Sequence, residues 1–180
     1  RPISYLIYRI HGNVFLADEL YSITAKGLIC LLGFMGSHAG AIKEFRMILP
    51  EHSLIGELFP EQNQLHISLH PYMMSRIIDF AIMVTYMKPL QEGTFNVEVI
   101  SDDQCPWNIG VWQITNQAGQ VSCKQIEDGL VDYSGPITAW TQVFLGRLSM
   151  RDAVKLGLIT DYRIKKLDFK KGDVSFYDYF

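Results

Sequence analysis

Two runs of apolar, β-branched and aromatic residues open the chain, Ile3 to Ile10 and Val14 to Leu20, divided by His11-Gly12-Asn13. A three-residue link with a glycine free to take positive φ predicts a β-hairpin. Thr24 stands where an N-cap belongs. Leu28, Ile29, Leu31, Leu32, Phe34 and Met35 then recur as on a helix buried over a wide face and ending near Gly36 or Gly40. A strand at Phe45 to Leu49, a stop at Pro50, a short helix at Leu54 to Leu58 and a strand at Leu65 to Leu69 complete this stretch.

Pro71 and Tyr72 mark a hinge, after which the pattern changes. Ser75 to Phe80 reads as a strand and Ala81 to Met87 as a helix stopped by Pro89. Three strands follow, at Phe95 to Ser101, Gly110 to Asn116 and Gly119 to Ile126, the last two joined by the turn Asn116-Gln117-Ala118-Gly119. A short strand at Leu130 to Tyr133 precedes helices at Ile137 to Leu145 and Met150 to Leu156. Ser149 is the expected N-cap of the second, with Asp152 in its first turn. The fold class is α+β, in two pieces of roughly 75 and 105 residues, with domains expected over 1–73 and 74–180.

Composition narrows the function. With 48% hydrophobic and 19% charged residues in 180, the chain has the makeup of a folded globular protein and not of a disordered one. Its net charge of -3 is spread evenly, 5 basic against 6 acidic residues up to Met73 and 11 against 13 beyond. Nucleic acid is therefore not an expected partner. The local run Arg163, Lys165, Lys166, Lys170 and Lys171 is interleaved with Asp161, Asp168 and Asp173 and reads as a solvated face. No apolar run is long enough to span a bilayer, and no membrane partner is expected. Cys30, Cys105 and Cys123 lack metal-ligand spacing, which fits a reducing, cytoplasmic setting without structural zinc. The chain begins Arg1-Pro2-Ile3 and runs straight into a strand, and we expect it to be the back end of a longer protein.

Few residues offer chemistry. Arg9-Ile10-His11-Gly12-Asn13-Val14 partly matches a pyrophosphate-cradling loop, but such a loop opens a helix and this one joins two strands. Gly33, Gly36 and Gly40 lie inside or after a helix and make no phosphate loop either. His11, His38, His52, His66 and His70 are scattered, although His66 and His70 would share one face of a strand. In Asp102-Asp103-Gln104-Cys105-Pro106-Trp107-Asn108-Ile109-Gly110, Asp103 and Asn108 are expected to hold a turn plugged by Trp107. The sharper alternative there is a cation-binding rim made by Asp102 and Asp103. The tail Phe176-Tyr177-Asp178-Tyr179-Phe180 is aromatic enough to dock. It either closes the core or surrounds the terminal carboxylate with rings that raise its pKa and make it a better general base.

Several of these segments, taken in order, resemble the enhanced intracellular survival (Eis)-like acetyltransferases. His70-Pro71-Tyr72-Met73-Met74-Ser75-Arg76-Ile77-Ile78-Asp79-Phe80 is similar to that family's domain junction. Gly33-Phe34-Met35-Gly36-Ser37-His38, Pro106-Trp107-Asn108-x-Gly110, Phe144-Leu145-Gly146 and the final Phe180 extend the resemblance. It implies the end of a degenerate second GNAT domain, a remnant of a mixed sheet with helices, followed by an α+β domain of sterol carrier protein type. The acetyl-CoA-binding domain, with its tyrosine general acid, would lie outside this chain. By the same resemblance the terminal carboxylate of Phe180 is the general base, and Asp178, Tyr179 and Phe180 face an amine acceptor such as an aminoglycoside, a polyamine or a lysine side chain. The family's acidic residue before the terminal Phe is not matched, because position 179 is Tyr. The alternatives are a non-catalytic module whose Ile137, Trp140, Val143, Phe144 and Leu148 line a tunnel for a lipid or other hydrophobic ligand, and an assembly domain forming a homo-oligomer.

Overall fold

A computed structural model describes residues 3–50, 53–70 and 74–169. They fall into two compact units, one ending at Leu69 and one beginning at His70. The expected hinge residues Pro71 and Tyr72 lie outside the described residues.

In the first unit, β1 (Ser4–His11) and β2 (Val14–Ser22) form the expected hairpin, tightened by one residue. His11 pairs with Val14, so only Gly12 and Asn13 form the turn, and Gly12 takes φ 60°. Helix α1 (Ala25–Gly36) starts at Thr24, whose hydroxyl accepts the Gly27 N–H at 3.1 Å. Strand β3 (Glu44–Met47) then returns parallel to β2. Phe15, Ala17, Met35 and Ile42 make the core, with Phe15 stacked on Tyr8 at 4.6 Å.

Helix α1 departs from the expected wide buried face. Only Gly27 and Met35 are buried, while Ile29 and Phe34 are exposed, because a three-stranded sheet covers one narrow side of the helix. Beyond β3 the expected helix is a 3-10 turn at Ile55–Leu58. The expected strand at Leu65 to Leu69 does not form. A strand exists only by pairing, no described strand lies against this run, and Ile67 is 88% exposed.

In the second unit the segment expected as a strand up to Phe80 is irregular, because Asp79 caps a helix instead. Its carboxylate accepts the Ile82 N–H at 2.8 Å and α2 (Phe80–Met87) begins there. A five-stranded sheet follows: β4 (Gly93–Val99), β5 (Gly110–Gln117), β6 (Gln120–Ile126), β7 (Tyr133–Gly135) and β8 (Thr160–Asp161), in the order β6-β5-β4-β7-β8. All neighbours are antiparallel except β4 and β7. The short strand expected at Leu130 to Tyr133 is shifted toward Gly135, since Asp132 spends its backbone N–H on the Asn96 carbonyl at 2.7 Å and leads into the ladder from below. Helices α3 (Ile137–Phe144) and α4 (Met150–Lys155) lie where expected, and the Ser149 hydroxyl caps α4 by accepting the Asp152 N–H at 3.1 Å.

The core of this unit is a ring cluster. Phe80 meets Trp112, Trp140 and Phe144 at centroid distances of 5.6, 5.9 and 5.5 Å, and Phe144 meets Phe169 at 4.8 Å. Each fully buried side chain of this size contributes about 1.5–3 kcal/mol. Among the described residues no helix is long and apolar enough to cross a membrane.

Candidate functional site

A buried polar node ties the start of α2 to the turn before β5. Asp102, 3% exposed, accepts the Cys105 N–H at 3.0 Å and the Gln104 N–H at 3.3 Å on Oδ1, which also pairs with Arg76. Its Oδ2 accepts from the Asn108 amide at 2.9 Å. Asn108, 1% exposed, accepts the Phe80 N–H at 2.9 Å and donates to the Ile78 carbonyl at 3.2 Å. It thus satisfies one of the orphan donors at the start of α2 that Asp79 does not reach.

The turn is held by side chains as expected, but Asp102 does the work assigned to Asp103. A cation-binding rim is also excluded for Asp102, whose carboxylate is buried and committed to four donors. Trp107 is not the plug: it is 58% exposed and donates its indole N–H to Ile78 at 2.9 Å, while Trp112 is the ring turned inward.

Beside the node lies an open pocket of about 440 Å³ walled by Met74, Arg76, Gln104, Ile137, Thr138 and Gln142. Arg76, the charged residue among its described walls, pairs with Asp102, and Ser75, Thr138 and Thr141 also line it. It offers an apolar slot with amide and hydroxyl edges. The expected tunnel residues Ile137, Trp140, Val143 and Phe144 are core instead, with the rings of Trp140 and Phe144 packed on each other and on Phe80, and Leu148 is half-buried against the same cluster.

In the first unit a second pocket of about 370 Å³ brings Arg9, His11 and Arg46 together around Val14 and Leu16. Both guanidiniums are taken: Arg9 pairs with Asp18 at 3.2 Å and Arg46 with Glu44 at 2.7 Å. The Arg46 hydrogen bond holds the Glu44 carboxyl below the ordinary carboxylate range and raises Arg46 in return. His38 bonds the Phe34 carbonyl through Nδ1 at 2.9 Å, and His66 and His70 share no strand. His52 lies outside the described residues. Among the described residues no His, Cys, Asp and Glu gather as a metal site.

The segment leading to the tail is a strap fastened across the sheet. Asp132, fully buried, accepts from Lys165 Nζ at 2.8 Å and from the Asn96 N–H at 2.9 Å on Oδ2. The Arg163 guanidinium stands 3.9 Å from its Oδ1. The Tyr133 hydroxyl donates to the Lys165 carbonyl. Further on, Asp168 accepts the Leu90 N–H at 2.8 Å through its carbonyl and donates its own N–H to Gln91 at 2.7 Å. Leu167 and Phe169 are buried.

Lys165 therefore departs from the solvated face expected for its basic run. The signal available was Asp132, a lone carboxylate beside Val131 and Tyr133, which burial obliges to find a cation. The expected site residues Asp178, Tyr179 and Phe180 lie outside the described residues.

Comparison with known proteins agrees with this architecture. Residues 79–170 match the family model of the sterol carrier protein domain. No curated protein matches the sequence. Among solved structures, a conserved protein from Enterococcus faecalis V583, described by its solvers as a probable N-acyltransferase, is 28% identical with a TM-score of 0.77 over 89% of this chain and 41% of that one. A GCN5-related N-acetyltransferase from Anabaena variabilis shares the fold at 14% identity, TM-score 0.71, over 90% of this chain and 42% of its own. So does Eis1 from Mycobacterium abscessus, at 15% identity and TM-score 0.69, over 89% and 42%. The chain spans about two fifths of the length of these proteins. With the five-stranded sheet, its three helices and just over half of the sequence inside the matched segment, the chain belongs to the sterol carrier protein domain family.

Proposed function

We infer that this chain is the acceptor-side half of an Eis-like N-acetyltransferase, with the cofactor half upstream in a longer polypeptide. What carries the reading is the reach of the likeness to the Enterococcus faecalis protein: it extends over 89% of the chain, through the β-α-β unit as well as the sterol carrier domain. A sterol carrier domain acting alone has no need of that first unit.

In this reading the acceptor is a cationic amine and acetyl-CoA the acetyl donor. The amine nitrogen forms a bond to the thioester carbonyl carbon, the C–S bond breaks, and the terminal carboxylate of Phe180 takes the proton that the nitrogen loses. The departing thiolate receives a proton from an acid in the upstream domain, leaving an N-acetylamine and free coenzyme A. Asp178 and Tyr179 border the acceptor, and the carboxylate attracts its positive charge. In this reading acetyl-CoA is held by the upstream half, so the isolated chain is expected to be inactive.

The test is kinetic and uses the full-length polypeptide. Deleting Phe180 moves the terminal carboxylate back by one residue, about 3.5 Å, and the expected result is a fall in turnover of about 100-fold or more with folding unchanged. Unchanged turnover removes the terminal carboxylate from the reaction. Tight acetyl-CoA binding by the 180-residue chain alone refutes the division into halves.

A further inference from the structure

Helix α1 packs on one face of the three-stranded sheet in the first unit. Alternation along the strands sends Phe15 and Ala17 of β2 and Phe45 and Met47 of β3 to that face, and Val14, Leu16, Glu44 and Arg46 to the opposite one. Strand pairing then sets the opposite face in rows. Leu16 lies between Arg9 on β1 and Arg46 on β3, and in the next row Val14 lies between His11 and Glu44. With neighbouring strands about 4.8 Å apart, the backbones of the two arginines stand about 10 Å from each other across Leu16. Both side chains line one hollow of about 370 Å³, with His11, Val14 and Leu16.

Each guanidinium is pinned along one edge only. Asp18 meets Arg9 at Nε, 3.2 Å, and at Nη2, 3.3 Å, and Glu44 meets Arg46 at Nε, 2.7 Å, and at Nη2, 3.2 Å. Of the five N–H donors on a guanidinium, this pairing uses two and leaves three, the Nη1 pair and the second on Nη2. Covering Leu16 and Val14 needs no more than the aliphatic stems. It does not require two heads fixed at the same hollow with their outer edges unengaged. Because the carboxylates already hold the heads, a ligand that binds them removes little further side-chain freedom.

We propose that this hollow binds a phosphate monoester with an apolar body: Arg9 and Arg46 take the phosphate from two sides above Leu16, and the body lies on Val14 toward His11. The terminal oxygens of a phosphate point in different directions and accept from two guanidinium forks at once, whereas a flat carboxylate fills one. Asp18 and Glu44 balance the charge of the two arginines, so directed hydrogen bonds and not a general positive field select the ligand. The hollow falls within the range of about 300–1,000 Å³ common to small-molecule sites. The inference makes no use of the acetyl-transfer reading and stands or falls apart from it.

The experiment titrates phenyl phosphate into the full-length polypeptide by calorimetry at fixed ionic strength, with coenzyme A at saturation so that any upstream phosphate cradle is already filled. Saturable binding is expected at about 1 mM or tighter, with Arg9→Met and Arg46→Met each weakening it at least tenfold. Benzoate and inorganic phosphate are expected to bind at least tenfold more weakly than phenyl phosphate. If Arg46→Met does not fold, as judged by its thermal midpoint, Arg46→Lys keeps the stem and the charge and carries the same test. It is expected to weaken binding at least threefold, because an ammonium offers no fork. No saturation by about 10 mM, or binding within twofold of wild type in the arginine variants, overturns the site. Equal affinity for benzoate overturns the two-fork geometry, and equal affinity for inorganic phosphate overturns the contact with the apolar floor. Phenol binding as tightly as phenyl phosphate reduces the hollow to an apolar surface and overturns the proposal as a whole.

Discussion

Replacing Asn108 by Ala tests the polar node most directly. The side chain is 1% exposed and its amide serves three partners. The Ile78 carbonyl keeps the Trp107 indole N–H, so that loss is small. The Phe80 N–H is left without its acceptor beside a side chain that is itself 0% exposed, which costs about 1–3 kcal/mol. Asp102 loses one of its donors, a hydrogen bond to a charged group worth about 1.5–3 kcal/mol. The two losses share one network and do not simply add, so the expected destabilisation is about 3–5 kcal/mol. Urea unfolding followed by far-ultraviolet circular dichroism measures it, and amide hydrogen exchange at Phe80 should quicken in parallel. Trp107→Phe, which removes one exposed hydrogen bond, is the control and should cost about 1 kcal/mol or less. A cost below about 1 kcal/mol for Asn108→Ala would mean that α2 does not depend on this cap, and the reasoning fails.

Two further outcomes follow from the backbone and the thiols. Ala118 and Gly119 form the two-residue turn between β5 and β6 with φ 49° and 78°, so Ala118→Asn supplies the residue this turn prefers and should stabilise the chain by about 1 kcal/mol in the same urea titration; a destabilised variant refutes it. Burial, aided by the Asp79 charge, pushes the Cys123 thiol up to about 12, so at pH 8 a disulfide reagent should label exposed Cys30 in the folded chain and reach Cys123 only after unfolding. Because the folded state favours the neutral thiol, this contribution is complete below pH 9 and is lost as pH rises toward 12, a fall that Cys123→Ser should reduce and that the desolvated Tyr133 phenol reinforces. Equal labelling rates for the two cysteines would refute the burial argument.

What was legible in the sequence was mostly local. Thr24 and Ser149 announced their helices because a cap is a contact between near neighbours, and the β5–β6 turn was visible in Ala118-Gly119 for the same reason. The errors came where local preference met a distant or missing partner. Ile77 and Ile78 favour a strand, but Asp79 and the distant Asn108 together start a helix after them. Leu65 to Leu69 has strand composition and no strand beside it. The Asp132–Lys165 pair joins residues 33 apart, a distance at which charge pattern along the chain says nothing about partners. Asp103 was favoured over Asp102 because the two are equivalent as neighbours in a turn; only the fold shows that Asp102 is the one turned inward.

The ring cluster has an optical consequence. All three tryptophans of the chain, Trp107, Trp112 and Trp140, belong to the unit that begins at His70, and residues up to Leu69 contain none. Intrinsic tryptophan emission therefore reports on the sterol carrier unit alone, with buried Trp140 and Trp112 emitting to the blue of exposed Trp107. Melting of the hairpin and α1 is silent at that wavelength. The second unit can thus be followed by itself in one unmodified chain, whereas tyrosine absorbance reports on both units, on Tyr5, Tyr8 and Tyr21 in the first and on Tyr86, Tyr133 and Tyr162 in the second.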